Sequence, residues 1–219
     1  MNRIDRLKQK LLAMDDRAIF LERLEILKIS AQKYAGETAG MRFGHTLNEL
    51  LSNISVVIDP DDLIIGRINE VIPTADQEED FYTNQHYWRP AWFSATGGMT
   101  ISWETLLRLG LNGIKKNASN RLSQITDKSP ESLVQRDFLT GVMLCCDAIV
   151  TLANRYAQTA EYLAEEIERN LQRQAELRDI AEVCRRVPEF PPNTFHEAIQ
   201  AIWFVDLVLH AVAGARDFA

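Results

Sequence analysis

Pro191-Pro192-Asn193-Thr194-Phe195-His196-Glu197-Ala198-Ile199-Gln200-Ala201-Ile202-Trp203-Phe204 decides the fold class of this chain. Two prolines cannot continue the helix before them, because the ring fixes φ and removes the N–H. Thr194 and Glu197 then have the T-x-x-E spacing of a capping box. From Ala198 to Ala213 nearly every residue is apolar, with Gln200, Asp206 and His210 as exceptions. A helix apolar on almost all sides belongs inside a protein. It is too short and too interrupted for a membrane span. The 219 residues offer limited material to surround it, so it is expected to want a cover that this chain does not supply.

The flanking sequence is helical as well. Leu171, Leu177, Ile180, Ala181 and Val183 predict a helix toward Arg186. Before it, Ser129-Pro130 is a helix start, since proline suits the first helical position. Leu133, Phe138, Val142, Cys145, Ile149, Leu152, Tyr156, Ala160 and Leu163 then keep one apolar face, and Glu165 to Arg169 is a solvated run. Ser102 begins a helix that Gly110 and Gly113 weaken and that runs to about Leu122. Toward the N-terminus, helices are expected over 3–14, to about Tyr34, and over Met41–Ile54. Gly36 and Gly40 bracket a loop, and Asn53 to Pro60 breaks the third helix.

Asp61-Asp62-Leu63-Ile64-Ile65-Gly66-Arg67-Ile68 is short, rich in β-branched residues and bounded by Pro and Gly, the best strand candidate. From Asn69 to Gly98 no period survives, and a structureless run that long points to a functional loop or to contact with something else. Its aromatic residues (Tyr82, His86, Tyr87, Trp88, Trp92, Phe93) are expected to anchor it in a groove. The expected organisation is a single incomplete region: a helical entry over 15–68, an aromatic-rich loop over 69–100, and a helical part over 101–219.

Charge and composition exclude some functions. A net charge of −7 argues against a nucleic-acid partner, which demands clustered Lys and Arg. The first residues carry no apolar signal segment, so a cytoplasmic location is expected. Three cysteines with no C-x-x-C pair give no disulfide framework, and adjacent Cys145 and Cys146 diverge by about 100° on a helix, so all three read as packing residues.

Signature chemistry is sparse. There is no G-x-G-x-x-G, no G-x-x-x-x-G-K-[ST] and no G-x-S-x-G. His45 and Glu49 stand four apart, as metal ligands can, but without a third ligand they read as a surface or capping pair. On the closing helix His196, Gln200, Trp203, Asp206 and His210 fall on one stripe roughly 120° wide. Asp206 can reach His210 at i, i+4, where a carboxylate would fix the imidazole tautomer. The preferred reading of the stripe is a face toward solvent or another subunit, and a small enzyme built on Asp206 and His210 is the minor alternative.

Several stretches together resemble the N-terminal part of the glycyl radical enzymes, the pyruvate formate-lyase-like family, in its dehydratase and lyase branch. The family's [DE]-[DE]-L-I-x-G turn is matched by Asp61 to Gly66, and its helix ending in x-x-G-L-x-G by Leu106 to Gly113. Cys146-Asp147-Ala148-Ile149 with Arg155-Tyr156-Ala157 resembles its long helix. Pro192 to Gln200 resembles its most specific block in this region. The implied fold is mainly α, the N-terminal helical portion of the ten-stranded α/β-barrel glycyl radical enzyme fold, with at most one or two short strands.

The resemblance also implies what these residues lack. No glycine sits in R-V-x-G-Y, the loop of the radical glycine, and no cysteine in G-C-x-E, the loop of the thiyl cysteine. Met99 stands where family dehydratases have a substrate-holding histidine, and a thioether cannot donate a hydrogen bond. The expectation is a fragment of a glycyl radical lyase or dehydratase, inactive alone, with Met99, Asp206 and His210 as substrate-side candidates. It would hold no cofactor or metal. The parent would be an oxygen-sensitive enzyme whose glycyl radical is installed by a radical-SAM activating enzyme, and 194–213 could self-associate. The alternative is a stand-alone helical interaction protein or a subunit completing a separately encoded partner.

Overall fold

The computed structural model describes residues 1–15, 17–18, 21–69, 71–88 and 101–209. Its described residues form eight α-helices and one two-stranded antiparallel ladder, as the mainly α expectation requires. They are α1 (Arg3–Leu12), α2 (Leu21–Lys33), α3 (Ala39–Asn53), β1 (Val56–Val57), β2 (Arg67–Ile68), α4 (Ala75–Trp88), α5 (Trp103–Ser123), α6 (Pro130–Tyr162), α7 (Leu171–Arg186) and α8 (Phe195–Leu207).

Helix α6 is the axis of the bundle. Ser129 caps it by accepting the Ser132 N–H, and Pro130 occupies the first turn, where its missing N–H costs nothing. Its buried face runs through Cys146, Ala148, Ile149, Leu152, Ala153, Tyr156, Ala157 and Ala160. Small residues there let neighbours come close. A Cβ on Gly141 would collide with the backbone oxygen of Gly40, and one on Gly44 would lie 2.9 Å from the Leu144 Cβ. Gly40 therefore belongs to the first turn of α3 and to its crossing with α6, a correction to its reading as the edge of a loop. Leu47, Leu50 and Leu51 of α3 fill the core behind that crossing, each worth about 1.5–3 kcal/mol on burial.

Helix α5 contains the expected weak point. Gly110 has φ +63°, and the helix breaks there. The N–H groups this frees, on Leu111 and Asn112, donate to the Pro188 and Glu189 carbonyls at 2.9 Å each. A side chain at position 110 would collide with that same Glu189 oxygen. The break thus pins the loop before α8 onto α5.

Two expectations fail between β1 and α5. The strand at 61–68 shrinks to Arg67–Ile68, which pairs with Val56–Val57 inside what was read as a mere break. Asp61 to Gly66 instead turns sharply to meet α8. The structureless run beginning at Asn69 contains α4. Thr74 and Gln77 form a T-x-x-Q capping box: Gln77 Oε1 accepts the Thr74 N–H at 3.0 Å, and Thr74 Oγ1 accepts the Gln77 N–H at 3.4 Å. That start signal outweighs the lack of an apolar period after it. The aromatic side chains from Tyr82 onward lie outside the described residues, as do 89–100.

Candidate functional site

The start of α8 follows its sequence. Thr194 Oγ1 accepts the Glu197 N–H at 3.1 Å. The Glu197 carboxylate reaches one residue further back than a simple capping box would, to the Asn193 N–H, and also accepts from Arg186 Nε at 3.2 Å. Arg186 in turn donates to the Pro191 carbonyl. The proline loop and the helix it launches are fixed by one ion-paired carboxylate.

The polar stripe of α8 then meets the Asp61–Gly66 turn. Gln200, 1% exposed, accepts the Ile65 N–H through Oε1 at 2.9 Å and donates Nε2 to the Ile65 carbonyl at 2.7 Å. His196 donates Nε2–H to the Leu63 carbonyl at 3.2 Å, and Trp203 donates its indole N–H to the Gly66 carbonyl at 3.1 Å. Buried backbone groups must be paired, and among the described residues no strand runs beside this turn to pair them. The amide, imidazole and indole substitute for one. This corrects the reading of the stripe as a solvent or subunit face: three of its members are consumed by the chain's own backbone.

Other elements hold the same turn. Arg173 of α7, buried, donates to the Asp62 carbonyl at 2.8 Å and the Asp59 carbonyl at 3.0 Å. The Tyr156 hydroxyl donates to the Arg67 carbonyl, and burial pushes its pKa up. Gly66 permits the arrangement: its φ is +139°, and a Cβ there would lie 2.7 Å from Trp203 Nε1. Asp62, Ile64, Gly66, Arg67 and Trp203 line an open cleft of about 300 Å³ above the turn. Burial raises the pKa of Asp62 there. Asp59 moves the other way: burial acts upward but is outweighed by Lys10 and by the Asp61 N–H.

Among the sequence candidates, Asp206 is half-buried on α8, while Met99 and His210 lie outside the described residues, as therefore does the Asp206–His210 pairing. His45 and Glu49 do not act together. Glu49 accepts from Lys33 and from the Tyr34 hydroxyl at 2.7 Å, and His45 stacks on the Tyr34 ring at 5.0 Å. Burial raises the Cys145 thiol to about 12, Cys146 to about 11 and Cys184 to about 12. None has the depressed pKa of a nucleophile. Among the described residues no group of three His, Cys, Asp or Glu could hold a metal ion.

Sequence reasoning missed Arg173 and Tyr156, and it misassigned Gln200. The signal for Gln200 was present: a lone amide inside an apolar helix needs partners. The local pairing of Arg173 with Glu176 at i+3 does not announce its contacts with the turn, whose carbonyl acceptors on Asp59 and Asp62 lie more than a hundred residues earlier.

Known proteins share this architecture. Residues 68–218 match the family model described as pyruvate formate lyase-like. The isethionate sulfite-lyase of Oleidesulfovibrio alaskensis is 40% identical over 113 residues, 49% of this chain and 14% of that protein. The (2S)-3-sulfopropanediol dehydratase of Klebsiella oxytoca is 30% identical over 161 residues, 73% of this chain and 19% of that one. A solved structure concerning 1,2-propanediol dehydration in Roseburia inulinivorans superposes with a TM-score of 0.86 at 25% identity, over 98% of this chain and 34% of its own. The chain thus spans about a third of that structure's length. It belongs to the pyruvate formate lyase-like family, that of the glycyl radical enzymes, and corresponds to the N-terminal part of its members.

Proposed function

We propose that this chain is the helical scaffold portion of a glycyl radical lyase or dehydratase, whose complete form cleaves a C–C, C–O or C–S bond by radical chemistry, and that it turns over no substrate alone. The observation that carries this reading is the division of α8. Its polar stripe is spent on the Asp61–Gly66 turn, whereas Phe195 (81% exposed) and Ile199 (36%) leave an apolar edge at i and i+4 uncovered, beside the exposed part of the Trp203 ring, whose N–H is held by Gly66. A helix so used positions other parts of a protein and offers little of its own to a substrate. The residues present do not fit a glycyl radical. None of the glycines stands in R-V-x-G-Y, and Gly66 and Gly110 are packed against Trp203 and Glu189. No step is therefore routed through these residues.

The complete enzyme would be cytoplasmic, oxygen-sensitive and charged by a radical-SAM activating enzyme. Met99, Asp206 and His210 are its substrate-side candidates in this portion. The test is anaerobic incubation of the purified chain with such an activase, followed by electron paramagnetic resonance. No glycyl radical signal is expected, and a signal from this chain alone would overturn the proposal. Reading the coding frame beyond Ala219 is the second test. G-R-x-D, G-C-x-E and R-V-x-G-Y in that frame support the scaffold reading, and an unrelated frame removes it.

The same open edge favours one other reading, a helical subunit that self-associates through 194–213 or completes a separately encoded partner. Light scattering separates the two. Association abolished by Phe195→Ser, an exposed position outside the clamp, supports the subunit, and a monomer at all concentrations rejects self-association.

A further inference from the structure

Helix α1 is held to the bundle by charge. Asn2 caps it, yet none of its residues is buried. Ile4, Leu11 and Leu12 are exposed, and among its apolar side chains only Leu7 is partly covered. Its cations make the attachment. Arg3, Arg6 and Lys10 stand at i, i+3 and i+7, on one face of a helix. Arg3 pairs with Glu176 of α7 at 2.6 Å, and Lys10 with Asp59 at 2.6 Å. Arg6 forks onto both carboxylate oxygens of Asp61. Both partners of every tie belong to this chain, so the docking does not depend on what lies against the outer side of α1.

At 10 residues α1 is too short to persist as an isolated helix. Docking and helix formation are therefore one transition, and the bundle does not share it. The turn keeps Gln200, Arg173, His196 and Trp203 on its backbone whether or not α1 is docked. We infer that α1 is a charge-latched strap, docked as a helix over the turn and α7 or released as coil, and that its release by salt or acid uncovers Asp59, Asp61 and Glu176 while the bundle stays folded. Asp61 is the latch. It is 7% exposed, and the cations facing it among the described residues, Arg6, Lys10 and Arg3, all belong to α1. Asp59 faces Lys10 but keeps Arg67 and adjoins Asp62, and Glu176 faces Arg3 but keeps Arg173. Salt reaches the strap because its cations are partly exposed. The screening length falls from about 10 Å at 0.1 M to about 3 Å at 1 M. Acid acts on the carboxylates. Arg6 holds Asp61, and Arg3 holds Glu176, below the usual carboxylate range. The latch is complete above their ordinary values of 3.8 and 4.5 and is lost as pH falls through the lowered ones.

Hydrogen exchange on the full chain tests the strap, read by mass spectrometry on peptides covering α1, the turn and α6. From about 0.05 M to about 1 M NaCl at neutral pH, protection of α1 should fall at least tenfold and that of the turn and α6 less than twofold. Arg6→Gln, a change on a helix with no buried residue, should release α1 already at low salt. Arg6→Lys keeps the charge but not the fork, and should restore part of the protection. At about pH 3.5 and low salt, exchange corrected for its intrinsic rate should show the same selective loss in the parent chain. Protection of α1 that ignores salt, or an Arg6→Gln chain as protected as the parent, overturns the proposal. So does loss of α1 and the turn together, in salt or in acid, because α1 would then belong to the cooperative unit of the bundle.

Discussion

Gln200 satisfies both backbone groups of Ile65, residues 135 positions apart, with hydrogen bonds of 2.9 and 2.7 Å in a fully buried setting. The side-chain amide does there what a neighbouring strand would do. The helix it stands on lies within the residues that match the family model, and the turn it holds comes just before them.

Replacing Gln200 with Leu should therefore cost far more than a polar-to-apolar change in a core suggests. It leaves the Ile65 N–H and C=O buried without partners, at about 1–3 kcal/mol each. Urea unfolding should show a loss of about 2–6 kcal/mol. A loss below about 0.5 kcal/mol would mean that the clamp does not hold the turn.

Gly66→Ala should destabilise by about 1–3 kcal/mol, the usual cost of a non-glycine residue in a disfavoured backbone region. The added methyl also meets Trp203 Nε1. Pairing the change with Trp203→Ala tests that contact. The double variant should be less unstable than the two single losses predict, because the two sites share one clash. Strict additivity would show that the indole moves aside freely.

The three thiols should be silent in the folded chain. A thiol-reactive disulfide reagent at pH 8 should label Cys145, Cys146 and Cys184 only after denaturant is added. Burial raises their pKa values from about 9 to about 11–12, so the folded state keeps protons that the unfolded chain gives up. Stability should then fall as pH rises from about 9 toward 12. Rapid labelling without denaturant would contradict this.

Asp127 should titrate low. Hydrogen bonds from Ser129 and Ser132 hold its carboxylate at about 2, against 3.8 for the free group. It supports the start of α6 above pH 4, and that support is lost as pH falls through about 2. A carbon-detected titration of its carboxyl group checks the value. Asp127→Asn should remove the acid-dependent fraying of the first turn of α6, and a midpoint near 4 would refute the assignment.

Legibility varied with the range of the interactions. The starts of α6 and α8 could be read because Ser129, Pro130 and Thr194 act within four residues. Thr74 and Gln77 were equally local, and α4 was missed only because the residues after them lack an apolar period. Cys145 and Cys146 were read correctly as packing residues, since their spacing on a helix excluded a shared task. The stripe on α8 could be seen as a stripe, but its partner could not. Nothing within ten residues of His196, Gln200 or Trp203 states that they will meet Leu63, Ile65 and Gly66.

The amino-acid sequence by itself determined the helical class, the position of the long central helix, the capped start of α8 and the family resemblance. These follow from side-chain periodicity and from capping, which depend on neighbours along the chain. The tertiary structure alone decided what the polar residues do. Backbone groups along Asp59–Arg67, fully buried at Ile65, needed donors and acceptors, and the packing of α6, α7 and α8 around that turn brought Tyr156, Arg173, His196, Gln200 and Trp203 to supply them. The same packing left α1 attached by charge with its apolar side outward, an outcome that its amphipathic pattern alone would have reversed.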